Sequence, residues 1–244
     1  MSSSYSQRRG GGGLLCELHA HSRWSDGDLE IDQLVDLYGG AGFDVLCVTD
    51  HVVREDALVT ADLFDDYLAD IRRAADRAAS AYGMLVLPGL ELTWDDELDE
   101  RGAHAVAVGL DRFVGLDGGL DGAIEAARDH GAAIIAAHPY GDRRDPIPGR
   151  TTQRWWRDPT LRRLAHRFEL INRTQVFEWV ADEELPVVAN GDFHRLPHLF
   201  TWKSIVPAEL DPGAVVAYLR SAAPVLLTRP DLPSLAPSAG AAAA

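Results

Sequence analysis

Short, continuously apolar runs recur along this 244-residue chain, and amphipathic stretches separate them. The runs read as strands over 14–21, 43–51, 84–93, 104–110, 132–138, 168–172, 186–194 and 202–206. In residues 63–78 the apolar positions Leu63, Phe64, Tyr67, Leu68, Ile71, Ala74, Ala75 and Ala78 follow the i, i+3, i+4, i+7 rule of a helix. Ile31, Leu34, Val35 and Tyr38 do the same over a shorter stretch. A strand apolar on both faces must be covered on both, and strand–helix alternation achieves this with a mostly parallel sheet. Seven or eight such strands predict an α/β fold closed into a barrel, whose functional face lies at the C-terminal strand ends.

One domain over 14–232 is expected, flanked by tails at 1–13 and 233–244. The first tail is Ser-, Arg- and Gly-rich and the second Pro-, Ser- and Ala-rich, so neither offers much to pack. Cys16 and Cys47 each sit inside an apolar run and read as small reduced core residues. A net charge of −15 disfavours nucleic-acid polymers and anionic membrane surfaces as partners. No signal-peptide core and no run of about 18 apolar residues is present, so a cytoplasmic location is expected.

The polar residues fall at particular places on this pattern. Run 14–21 ends in His19-Ala20-His21, run 43–51 in Thr49-Asp50-His51, run 132–138 in His138, and run 186–194 in Asp192-Phe193-His194. Glu91 lies near the end of run 84–93. His104 alone sits at the start of its run, which suggests a strand of opposite sense. Residues i and i+2 of a strand share a face, so His19 with His21, and Asp192 with His194, form two-pronged pairs. Imidazole and carboxylate are ligands for zinc, manganese or iron. Asp26, in the turn after the first pair, can add an oxygen. Any one of these residues has an ordinary structural reading, but independent structural histidines have no reason to gather in pairs at strand ends.

These residues resemble the motifs of the PHP (polymerase and histidinol phosphatase) family. The matching segments are HAHSRWSDG at 19–27, VTDH at 48–51, GLELT at 89–93, AHAVAVG at 103–109, AHPY at 137–140 and NGDFH at 190–194. The resemblance spans roughly 15–205 and implies a distorted (β/α)7 TIM-like barrel with two or three divalent ions. By match, His19, His21, Glu91 and Asp192 would hold one ion. Glu91, His104 and His138 would hold a second, and Asp26, His51 and His194 a third. The implied activity is phosphate-ester hydrolysis by a metal-bridging hydroxide. The chain lacks the polymerase regions and the long helical insertion of some relatives, which leaves the substrate open. Asp50 could orient an imidazole or make a purely structural hydrogen bond.

The substrate readings start from arginines. Between Asp142 and Arg163 seven arginines give a local excess of four positive charges. Arg143, Arg144 and Arg150 are the candidates for gripping an anionic substrate, whereas at least half of the seven are expected to be solvated or paired with the protein's own acids. Arg195 and His198, just after the Asp192–His194 pair, are the candidate catalytic groups beyond the ligands. Trp155 and Trp156 read as packing residues that could alternatively stack on a ring. A small-molecule phosphomonoester is the expected substrate. A phosphodiester, a non-phosphate ester or amide, and a non-catalytic metal-binding domain are the alternatives.

Overall fold

In a computed structural model of the chain, residues 12–53, 59–141 and 152–230 are described. Apart from Gly12 and Gly13, the two expected tails lie outside these residues. The elements run β1 (Leu14–Glu17), α1 (Ile31–Gly40), β2 (Val45–Val48), β3 (His51–Val53), α2 (Phe64–Tyr82), β4 (Leu85–Trp94), β5 (Ala103–Val108) and α3 (Gly119–Asp129). Then follow β6 (Ala133–Ala137), α4 (Arg154–Arg157), α5 (Pro159–Arg162), β7 (Arg167–Asn172), β8 (Gln175–Val176), α6 (Glu178–Asp182), β9 (Val187–Asn190), β10 (Lys203–Val206), α7 (Pro212–Arg220) and β11 (Leu226–Thr228). All eight expected strands are present, with run 43–51 split into β2 and β3. The split falls at Thr49-Asp50, whose polar groups leave the ladder to bind the segment after β1: Thr49 N donates to Ala20 O at 2.8 Å, and Asp50 accepts from Ser22 N at 2.8 Å.

The strands form one curled sheet in the order β11-β10-β1-β2-β4-β5-β6-β7-β8, with β3 beside β4 and β9 beside β7. The expectation of a mostly parallel sheet is corrected. β5 is antiparallel to both β4 and β6, and β10 is antiparallel to β1 and β11. The reason is the connection. Only residues 95–102 join β4 to β5, too few for the crossover of a dozen or more residues that a parallel pair needs. The regular strand–helix alternation therefore breaks there, and the sheet curls as a half-barrel rather than repeating a βα unit. Past β1 and β9 the chain pairs once more, at an isolated parallel bridge between Ala20 and Phe193.

Both sheet faces are apolar, as the continuous runs require. Alternate residues Cys16, Cys47, Leu87, Val106, Ile135 and Val188 fill the inside of the curl, where Val215 and Leu219 of α7 join them. Their neighbours Leu46, Val86, Ala105 and Ile134 pack outward among residues of α1, α2 and α3. Cys16 and Cys47 are buried and neither is in a disulfide among the described residues, and burial pushes the Cys47 thiol up to about 12. Arg167 is buried among backbone carbonyls and donates to those of Val187, Tyr218, Leu219, Ser221 and Ala223, which ties α7 and the segment after it to the sheet. No helix of the described residues is long and apolar enough to cross a membrane.

Candidate metal centre

The ligand-competent side chains meet because of register. The Ala20–Phe193 bridge is held by His21 N donating to Phe193 O at 2.8 Å and Phe193 N donating to His19 O at 3.1 Å. This places the His19/His21 pair against the Asp192/His194 pair. β3 sets His51 directly beside Glu91. Because β5 is reversed, its first residues share the end of the sheet where the other strands finish, and His104 pairs with Ala137, the neighbour of His138. His104 is thus no exception to the strand-end rule: its strand runs the other way.

The nine predicted ligands form one connected cluster, in which five histidines face Glu91. Its Oε2 lies 3.2 Å from His19 Nε2, 3.2 Å from His21 Nε2 and 3.0 Å from His51 Nδ1. Its Oε1 lies 3.1 Å from His104 Nδ1 and 3.2 Å from His138 Nε2. Asp192 Oδ1 stands 3.7 Å from His19 Nε2, 3.5 Å from His21 Nε2 and 3.2 Å from His194 Nδ1. Asp26 reaches His51 Nε2 at 3.5 Å and His194 Nε2 at 3.2 Å. Among the described residues, three groups have ligand atoms close enough to share an ion: His19, His21 and Glu91; Glu91, His104 and His138; and His21, Asp26, His51 and His194. Each group overlaps one of the sets that the resemblance implies, with His21 joining the last and Asp192 absent from the first.

The donor set fits divalent ions. Among the described residues, His19 Nε2, His21 Nε2, Glu91 Oε2 and His194 Nε2 are buried without a hydrogen-bond partner. Buried polar atoms rarely go unpaired, and these four face one another. Electrostatics agree. Burial would raise Glu91 and Asp192, yet the surrounding imidazoles hold both well below the usual carboxylate range. Burial alone would lower His104, but Asp95 and Glu91 raise it to about 9; Asp192 and Asp26 likewise raise His194 to about 9. His21, buried and flanked by His51, falls to about 3. A cluster whose acids stay ionised this deep attracts cations, and metal binding replaces the protons its histidines would otherwise carry. Two ligands hold left-handed backbone, His138 at φ 27 and Asp192 at φ 45. Such conformations cost about 1–3 kcal/mol each and recur at functional sites.

Several supporting residues escaped the sequence reading. Buried Glu169 on β7 accepts from His19 Nδ1 at 2.9 Å and from His138 N at 2.6 Å. The available signal was a charge inside the apolar run FELIN: on a strand covered on both faces, such a group must be paired. Arg173 also went unnoticed. Its Nη2 lies 3.0 Å from Asp192 Oδ2 and 3.2 Å from His194 Nδ1. Asp95 meets His104 Nε2 at 2.9 Å, and Thr93 Oγ1 meets His51 Nδ1 at 2.7 Å. Of the two readings of Asp50, the geometry supports the structural one: it accepts from Ser22 Oγ at 2.7 Å and Ser25 Oγ at 2.5 Å, knitting the loop before α1.

Arg143, Arg144 and Arg150 lie outside the described residues. The described remainder of that cluster is tied up on the protein itself. Arg154 pairs with Asp121 and Asp158, Arg162 with Glu183, and Arg157 lies 5.3 Å from the Trp156 ring centre. Trp155 is core: wholly buried, it donates its indole N–H to His104 O at 2.8 Å and so fixes the backbone of a ligand. Arg195 and His198 line a cleft of about 500 Å³ beside the ligands, together with Tyr140, Asn172, Arg173, Thr174 and Gln175, and the ligands Asp26, His138, Asp192 and His194 open onto it. His198 Nδ1 accepts from His194 N at 3.0 Å. Burial and Arg173 pull its pKa down to about 4, so the ring is neutral.

Fold and site together define a mixed α/β protein with a cluster of histidines and acids competent to hold divalent metal at one end of a curled sheet. The chain belongs to the PHP domain family, whose model matches residues 17–141, just over half its length. Among solved structures it is similar to a two-domain protein from Bacteroides vulgatus containing a predicted PHP-like metal-dependent phosphoesterase. That similarity has a TM-score of 0.64 at 20% identity and covers 91% of this chain and 69% of the other. It is also similar to an amidohydrolase from Chromobacterium violaceum with bound sulfate and no metal, with a TM-score of 0.52 at 16% identity, covering 73% and 87% of the two chains. At such identities the likeness concerns the fold. No curated protein sequence matches the chain.

Proposed function

We propose that the chain is a metal-dependent phosphoesterase that hydrolyses a small phosphomonoester with two to three zinc, manganese or iron ions. The observation that carries this reading is the set of four buried atoms without a hydrogen-bond partner among the described residues, one of them on His194, which lines a cleft together with Arg173 and Arg195. In this reading His19, His21, Glu91 and Asp192 hold one ion; Glu91, His104 and His138 a second; and Asp26, His51 and His194 a third. Bound there, the ions supply the positive charge that clamps phosphoryl oxygens and makes water nucleophilic near neutral pH. The seven strands β1, β2, β4, β5, β6, β7 and β9 are then the staves of the distorted barrel of the family, with the Ala20–Phe193 bridge supporting its closure.

The chain's own groups do the positioning. Arg173, pinned by Asp192, and the exposed Arg195 offer guanidinium N–H groups suited to two oxygens of one phosphate. His198, whose Nδ1 is occupied by His194 N, keeps its proton on Nε2 and acts as a neutral hydrogen-bond donor to substrate. A cleft of this size suits a small molecule, and the charge of −15 disfavours polymeric phosphate. The test is release of inorganic phosphate from a panel of phosphomonoesters, with each of the three metals supplied to metal-free protein. Turnover confined to monoesters is expected. Turnover confined to bis-substituted phosphates, carboxyl esters or amides would overturn the substrate class, and bound metal without any turnover would overturn the enzyme.

A further inference from the structure

Glu169 serves both sides of the centre with one carboxylate. It is wholly buried on β7. Its Oε1 lies 2.9 Å from His19 Nδ1 and accepts from Asn190 Nδ2 at 2.9 Å. Its Oε2 accepts from the backbone N of His138 at 2.6 Å and from Asn172 Nδ2 at 2.7 Å. Four donors fill the acceptor sites of an ionised carboxylate, which has no proton to give. The proton shared with His19 therefore sits on Nδ1 of the ring, which leaves Nε2, facing Glu91 and Asp192, as the nitrogen to bind metal. The other oxygen fastens His138 in its left-handed backbone, with Nε2 of that ring 3.2 Å from Glu91 Oε1.

We infer that Glu169 is a positioning residue that fixes the ligating nitrogen of His19 and the backbone of His138 together, so that two metal positions sharing Glu91 are set by one acid. The inference rests on the metal reading above. An amide cannot serve both halves of the arrangement at once. Glutamine has a single oxygen, so it can accept on the His19 side or on the His138 side, and on the other its NH2 meets a donor.

Two measurements test this. Ring nitrogen–proton correlations of 15N-labelled protein should show His19 protonated at Nδ1, both metal-free and loaded with zinc. An unprotonated Nδ1 in the unmodified protein overturns the inference, whatever any variant does. Zinc titration by calorimetry should find Glu169→Gln weaker by about 10- to 100-fold, the usual effect of removing a group that orients a ligand. Asn190→Ser, which removes one donor from Glu169 and touches neither ligand, should stay within about threefold of the parent. Unaltered zinc affinity in Glu169→Gln overturns the inference. Should Glu169→Gln fail to fold, the ring measurement on the unmodified chain decides. If that chain takes up no zinc at all, the metal reading itself falls, and the Nδ1 proton is still read in the metal-free protein.

Discussion

Beneath the metal centre, Lys203 and Glu17 form an ion pair sealed from solvent, at 3.0 Å between Nζ and Oε2. Every hydrogen of the ammonium is used: besides Glu17, Nζ donates to His198 O at 3.0 Å and to Thr201 Oγ1 at 2.9 Å. Glu17 also accepts from Gly191 N at 2.9 Å, from Tyr38 OH at 3.0 Å and from His19 N at 3.3 Å. The pair therefore joins β1, β10 and the segment that carries Asp192 and His194. Burial pulls the Lys203 ammonium below the ordinary lysine range despite Glu17, so the site strains to keep its charge. Lys203→Met keeps the bulk of the stem but leaves the Glu17 carboxylate buried without a counter-charge. Breaking such a pair costs about 3–5 kcal/mol. For a chain of this size that lowers the thermal midpoint by about 6–20 °C. Glu17→Gln with Lys203→Met removes both charges and should recover most of the loss. The assay is urea unfolding of the two singles and the double in metal-free protein, so that metal binding does not shift the midpoints. A Lys203→Met protein within about 1 kcal/mol of the parent, or a double variant as unstable as the sum of the singles, would refute this account of the pair.

Four further outcomes follow from the same geometry. Gly191→Ala should destabilise by about 2–3 kcal/mol or more in urea, because the added Cβ would collide with Glu17 Oε2 and Lys203 Nζ, neither of which can yield. Glu91→Gln should lower activity by at least about 10²-fold and leave the purified protein short of metal by elemental analysis, since Glu91 faces five imidazoles. Arg173→Ala should lower kcat/KM for the best phosphomonoester by about 10- to 100-fold, with Arg173→Lys restoring only part, in steady-state assays. His166, half-buried and accepting from Ile134 N at 2.9 Å, has its pKa pulled to about 4 by burial and by Arg128, Arg220 and Arg167. The folded state thus refuses a proton that the unfolded chain accepts near 6.5. Its contribution is complete above that pH and is lost as pH falls toward 4; screening at a partly exposed site limits it to about 1–2 kcal/mol. His166→Leu should flatten the urea midpoint between pH 7 and 4.5 by that amount.

The sequence by itself determined most of the elements and which residues are candidate ligands. Runs apolar on both faces can be satisfied only by strands covered on both sides, so the eight strands, and two of the helices, are legible without coordinates. The i, i+2 pairs His19/His21 and Asp192/His194 share a face by strand geometry alone, which marks them as candidate ligands. What only the tertiary structure decided is everything that depends on which distant segments meet. The reversal of β5 follows from a connection too short for a crossover, and it turns His104 from an exception into a neighbour of His138. Glu169, Arg173 and the Glu17–Lys203 pair reach the site through partners on other segments of the chain, the nearest of them 19 residues away, so no local spacing marks them. A single buried charge in an apolar run says that a partner exists, but not which one. The physical reason is that periodicity encodes which face a side chain occupies, whereas pairing and electrostatics are set by register between strands, and register is fixed only when the sheet curls and its faces pack.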